Sequence, residues 1–284
     1  MKEILLKDLL EAGCHFGHRK EKWHPKAASF IYGAREGIHI IDLAKTKDGL
    51  GNAAEFIKNL GISGKTILFV ATKRQAKTVV TEVAQKIKMP YLTLRWIGGF
   101  LTNWDEVKKN IEKLNRFRAE KRDGSWKKFP KHEIIKLEKH LHQLELVYGG
   151  VAELNALPDA IFIVDIKKEV ASLKEAIRLG IPIVAIVDTN VDPKDVDYPI
   201  PANDDAVGSI QFIVNYIADA YQEGAVIREK GTEKEKLKTA TLKSKQESVK
   251  EEKTAEKTEK TVQKELKPVK KTKSKQKKVQ PSKS

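Results

Sequence analysis

Residues 160–188 read Ala-Ile-Phe-Ile-Val-Asp-Ile-Lys-Lys-Glu-Val-Ala-Ser-Leu-Lys-Glu-Ala-Ile-Arg-Leu-Gly-Ile-Pro-Ile-Val-Ala-Ile-Val-Asp. The runs Ala160–Val164 and Ile183–Val187 show no alternation of polar and apolar residues, as expected of strands covered on both faces. Between them, Glu169 to Leu179 has helical spacing and stops at Gly180. A strand, a helix and a second strand in this order make a parallel pair joined by a crossover.

The same grammar extends outward. Thr66–Ala71 is another continuous apolar run, followed by a helix from Arg74 to Ile87 and a strand at Tyr91–Leu94. Tyr198-Pro199-Ile200 reads as an edge strand, because prolines cannot donate to a central ladder. Asp204 to Gln222 reads as a final helix, with Asp204 at its cap. Towards the N-terminus, Ile38–Ile41 is a short strand and Asp42 caps a helix running to about Leu60. Leu5, Leu6, Leu9 and Leu10 share one helical face that ends at Gly13, and Cys14–Arg35 reads as irregular around Pro25. The expected fold is α/β, a doubly wound parallel five-stranded sheet with helices on both faces.

Residues 103–148 interrupt this pattern. Val107, Ile111, Leu114 and Phe117 repeat at helical spacing, as do Ile134, Leu137, Leu141, Leu144 and Tyr148. Asp123-Gly124 supplies a turn, so the expectation is an inserted antiparallel coiled-coil helical hairpin. Trp126 near its tip reads as an anchor for a partner. The domain expectation is an α/β body from 1–102 and 149–228, a hairpin from 103–148, and a disordered tail from 229–284.

Lys and Arg total 54 and Asp and Glu 39, a formal charge of +15. The tail, 229–284, holds 19 Lys and 9 Glu, and so carries +10 of that excess with too little apolar surface to offset its ordering entropy. Residues 1–228 are only mildly basic, so nucleic-acid binding must be argued from where the charges lie. Cys14 is the only cysteine, which excludes an intramolecular disulfide. No apolar run approaches the roughly 20 residues of a membrane helix, and the first ten residues lack a signal peptide's apolar centre. The expected location is the cytoplasm.

No phosphate-cradling glycine motif or nucleophile elbow is present. The Cys14-His15-Phe16-Gly17-His18 cluster with His24 lacks the second ligand pair of a zinc site. His15, His18, Asp188, Asp204 and Asp205 could meet at the carboxyl edge of the sheet, where doubly wound folds bind ligands. Together they could hold a divalent ion, and His15, His18, Asp188 and Asp205 carry the alternative reading, a soluble enzyme or nucleotide-binding protein, set against capping and loop structure for the aspartates. The reading the residues favour is RNA binding. His15, Phe16, His18, Arg19, Lys22, Trp23 and Lys26 interleave cations with rings, and cations neutralise phosphates while rings stack on exposed bases. Arg35, Lys73, Arg74, Arg95, Asn103, Lys108 and Lys109 extend the candidate set. Lys73 and Arg74, at a strand end before a helix, would suit a phosphate.

Several stretches resemble the family of bacterial small-subunit ribosomal protein S-two. They are Ala12–His18, Trp23–Lys26, Phe30–Arg35, His39–Leu43, Phe69–Arg74, Arg95–Asn103, Leu157–Ala160, Gly180–Pro182, Val187–Asn190 and Asn203–Asp205, in the family's order. Cys14, Leu94 and Ala202 depart from residues usual there. The resemblance implies a flavodoxin-like sheet with a protruding hairpin and no catalytic activity or cofactor. It implies binding to small-subunit ribosomal RNA on the solvent side near the head–body junction, and docking of the ribosomal protein S-one. Neighbouring ribosomal proteins are the other expected partners, with no membrane and no stable homo-oligomer. The Lys-rich tail lies outside the resemblance and reads as a non-specific electrostatic RNA contact.

Overall fold

A computed structural model describes residues 3–231. The expected disordered tail lies outside the described residues, apart from its first three. Five strands form one parallel sheet: β4 (Ile67–Val70), β5 (Tyr91–Leu92), β6 (Ala160–Val164), β7 (Ile183–Val187) and β8 (Tyr198–Pro201). Their order is β5-β4-β6-β7-β8, which is the flavodoxin-like arrangement.

Alternate residues of these strands feed two separate cores, which is why the runs contain no polar position. Ile67, Phe69, Phe162, Val184 and Ile186 pack with helices α2 (Leu43–Ser63), α3 (Arg74–Lys86) and α7 (207–231). Leu68, Val70, Ile161, Ile163 and Ala185 pack on the other side with α6 (Val170–Leu179) and the base of the insertion. Local signals act as read: Asp42 accepts from the Ala44 amide at 3.0 Å, and Gly180 ends α6 at φ 67°.

The edge strand β8 shows why prolines are tolerated. The Ala202 amide bonds β7 at 3.1 Å, so residues 199 and 201 point outward, where no N–H is needed. Their carbonyls turn towards α2, and the Thr46 hydroxyl donates to that of Pro201 at 2.5 Å.

The insertion is a pair of antiparallel helices, α4 (Trp104–Arg122) and α5 (Lys131–Tyr148), tied by Lys121–Glu138 at 3.3 Å and Arg118–Glu145 at 3.4 Å. Its base belongs to the body, because Val107 and Ile111 join the core beneath the sheet. Leu114, Phe117, Leu141 and Leu144 form a small core of their own.

Four expectations are corrected. Trp126 is not a free anchor: it is 5% exposed, packs edge-on to Phe117, and donates its indole N–H to Glu120 at 3.1 Å. The turn Ser125–Lys128 folds the ring back into the hairpin's core. Cys14–Arg35 is not irregular, since it supplies β1 (Phe16–Arg19) and β2 (Ile31–Arg35), which flank β3 (Ile38–Ile41) in an antiparallel sheet. Bulges in both pairings blur the alternation a strand reading depends on. Helix α1 (Leu6–Glu11) has only six residues and buries Leu9, leaving Leu5, Leu6 and Leu10 about half exposed. Finally, Asp204 does not cap the last helix. The helix begins at residue 207, and the Asn203 side chain builds the turn ahead of it, accepting from the amides of Asp205 at 2.8 Å and Ala206 at 3.2 Å.

Candidate nucleic-acid interface

The carboxyl edge of the large sheet, between β4 and β6, is where this topology usually leaves room for a ligand. Here the protein's own charges fill it. The Lys73 ammonium lies 2.7 Å from Asp205, 2.8 Å from Asp204 and 3.2 Å from Asp165. Its side chain is 12% exposed, so its charge faces inward and is not offered to a phosphate. Burial works against that charge, but Asp204, Asp205 and Asp165 outweigh it and raise the Lys73 pKa. Asp204 is pushed up to about 7 by burial and by the nearby Asp188 and Asp165, with Lys73 opposing. Beside this network, Glu169 accepts from the Thr72 amide at 3.0 Å and its hydroxyl, and burial raises its pKa.

The N-terminal sheet closes over this edge. His18 Nδ1 lies 3.1 Å from Asp188 and Nε2 lies 3.6 Å from Asp205. The bond to Asp188 raises the His18 pKa against the effect of burial. Gly17 makes the approach feasible: a Cβ there would lie 2.8 Å from the Thr189 methyl. The His18 amide donates to the Thr189 hydroxyl at 2.9 Å, the His24 amide to the Thr189 carbonyl at 2.8 Å, and the Asn203 amide to the Cys14 carbonyl at 3.1 Å. Lys26 adds an ion pair with Asp192.

The residues of the expected ion site therefore separate. Ligand atoms of His18, Asp188 and Asp204 lie within 4.8 Å of one another, and Asp205 stands against both His18 and Lys73. His15 is not part of that group; its ring packs on Phe16 with centroids 4.0 Å apart. Lys73 and His18 already balance these carboxylates.

What remains outward-facing is the small sheet and its flanks. Arg19 and Arg35 are both paired with Ile38 in register, so they share one face of that sheet. Phe16 lies in the next row of the same face, opposite Ile40. Phe16 is 48% exposed, Trp23 40% and Tyr32 81%. Tyr32 was not among the candidates from sequence; an aromatic residue on an edge strand beside Arg35 is the signal that could have found it. Lys22, Arg74, Arg95, Asn103, Lys108 and Lys109 are exposed, and Lys109 pairs with Glu106 at 2.6 Å. Arg95 and Asn103 flank the mount of the hairpin. That mount is organised by Glu175, a residue the sequence gave no reason to single out. Its carboxylate accepts from the Trp96 indole at 2.9 Å and from the amides of Gly99, Leu101 and Thr102 at 2.8, 3.0 and 3.2 Å.

The model of the ribosomal protein S2 family matches residues 9–224, which span the body, the hairpin and the N-terminal sheet. The chain belongs to the ribosomal protein S2 family. Among its relatives, the small ribosomal subunit protein uS2 of Coprothermobacter proteolyticus is 48% identical over 224 residues, covering 79% of this chain and 84% of the relative. That of Geotalea uraniireducens is 46% identical over 228 residues, covering 80% and 89%. That of Koribacter versatilis is 45% identical over 230 residues, covering 81% and 76%. The family is a structural, non-enzymatic component of the small ribosomal subunit and acts in translation, so the chain works in the cytoplasm as part of the ribosome. Ribosomal RNA and other ribosomal proteins are its partners. Among the described residues, no helix is long and apolar enough to cross a membrane.

Proposed function

We propose that the chain holds small-subunit ribosomal RNA chiefly through its N-terminal sheet, near the head–body junction on the solvent side, and helps dock the ribosomal protein S-one. The observation that carries this reading is the shared face bearing Arg19 and Arg35, with Phe16 in the adjoining row. Guanidinium groups there can neutralise phosphates, while Phe16, Trp23 and Tyr32 offer exposed rings to unstacked bases. Lys22, Arg74, Arg95, Asn103, Lys108 and Lys109 are the supporting contacts. Lys73 drops out of the set because it is enclosed by aspartates, and Lys26 contributes less because Asp192 shares its charge. The hairpin acts as an arm on the 1–102 and 149–228 body. From Asp105 to Glu145 it carries 12 basic and 8 acidic residues, so it braces by shape more than by charge. The Lys-rich 229–284 segment adds sequence-independent affinity.

The test is replacement of Arg19, Lys22 and Arg35 by Ala. Incorporation into the small subunit should weaken, most of all at low salt, with the difference from the wild type shrinking as salt rises, while the thermal midpoint stays within about 2 °C, as for surface changes. Unchanged incorporation at every ionic strength would contradict the proposal.

A further inference from the structure

Helix α2 and the edge strand β8 line an open groove of about 590 Å³ whose lining runs against the charge of the whole chain. Asp48, Asn52, Glu55 and Asn59 face it from α2 at spacings of four, three and four, which is one helical stripe. Asp197 faces it from the strand side. Among the described residues Lys45 is the one cation in the lining, and its ammonium is taken by the Ser29 carbonyl. The formal charge of the lining is therefore −2 in a chain of +15.

Two further features limit what can enter. Phe56 and Tyr198 stack at 4.2 Å with 15° between their planes, giving an aromatic surface in the wall. The outer edge of β8 carries no N–H at Pro199 and Pro201, and α2 already covers it, with Thr46 bonded to the Pro201 carbonyl, so another strand cannot add there. The wall offers acceptors, carboxylates and ring faces. Beyond Tyr198 the groove continues into a second cavity of about 430 Å³, sharing Phe56, Asp197 and Tyr198 and lined further on by Ile177 and Ile181.

We propose that this groove docks an extended, basic segment of a partner protein, with an arginine in the acidic half and an apolar side chain on Ile177 and Ile181. A guanidinium supplies five donors to a wall of acceptors and lies flat on an aromatic face. Three carboxylates repel phosphates, so this surface is a protein site separate from the RNA face, and it does not rest on the RNA reading.

The experiment is fluorescence anisotropy of the full chain with a dye-labelled Gly-Arg-Leu-Arg-Gly peptide, and with its citrulline counterpart, which keeps the planar shape and loses the charge. Saturable binding of the arginine peptide is expected, and the citrulline peptide should not saturate. Asp48→Asn with Glu55→Gln, both on an exposed helical face, should weaken binding roughly tenfold, and Ile177→Asp should do so independently. Equal affinity of the two peptides, or an unaltered affinity in the double variant, would overturn the proposal. A photocrosslinker at Asn52 in assembled subunits should yield an adduct with an arginine-containing protein segment. Adducts only with RNA, or only with residues 232–284 of the same chain, would overturn it as well.

Discussion

Replacing Lys73 with Met separates the two roles this residue could have. Met keeps most of the side-chain volume and removes the ammonium. Asp165, Asp204 and Asp205 would then face one another with no cation between them, and Asp204 is only 2% exposed. Removing one partner of a buried ion pair costs about 3–5 kcal/mol, because a charge is left unbalanced away from water. For a body of this size each kcal/mol shifts the midpoint by roughly 2–4 °C, so the loss should be on the order of 10 °C. The loss should also depend on pH. Asp204 already titrates near 7, and without Lys73 it would hold its proton more tightly still. At pH 6 protonation relieves part of the repulsion, so the variant should suffer most near pH 8. Thermal unfolding by circular dichroism at both pH values is the assay, alongside RNA binding below the midpoint. A variant with unchanged stability and weakened RNA affinity would refute the reasoning and return Lys73 to the phosphate contacts.

In the wild type, Asp204 has a folded pKa above its unfolded value of 3.8, so the folded state takes up a proton and stability falls as pH rises from about 4 to 7. His18, also raised on folding, contributes stability that is complete below 6.5 and is lost as pH rises through its folded pKa. Together they predict a higher Tm at pH 6 than at pH 8, and Asp204→Asn should flatten that difference; an unaltered pH profile in the variant would count against the assignment. Glu175 runs the other way. Burial opposes its ionisation, but hydrogen bonds from Trp96 and the Gly99, Leu101 and Thr102 amides win and lower its pKa, so its contribution is lost as pH falls below the usual carboxylate range. Glu175→Ala should cost about 2–3 kcal/mol by leaving donors unpaired and should loosen the turn that carries the hairpin, read by hydrogen exchange at residues 96–104. Trp126→Ala should cost about 3–5 kcal/mol, with exchange protection lost in α4 and α5 and retained in β4 and β6; no change in the hairpin would show that the ring is not part of its core.

The parallel sheet was legible because Ile161 and Ile163 serve one core while Phe162 and Val164 serve the other, which forces a continuous apolar run. The helix ends at Asp42 and Gly180 were legible because their chemistry is local. The small sheet was not, because bulges between Phe16 and Arg19 and between Ile31 and Gly33 break its alternation. Asn203 and Asp204 are both good capping residues, and nothing local shows that the helix starts later, at residue 207, or that Lys73, 131 positions away, claims Asp204. That same distant pairing is why Lys73 looked free in the sequence. Single-chain patterns show that Arg19 and Arg35 are cations. Only the register with Ile38 shows that they share a face.

The salt dependence of RNA binding tests this account most directly. For the purified chain and a small-subunit ribosomal RNA fragment, the logarithm of the binding constant should fall linearly with the logarithm of salt concentration. Arg19, Lys22 and Arg35 replaced together by Ala should reduce the slope by about two to three, since each phosphate contact contributes roughly 0.7–0.9. An unchanged slope would show that the N-terminal sheet does not carry the phosphate contacts.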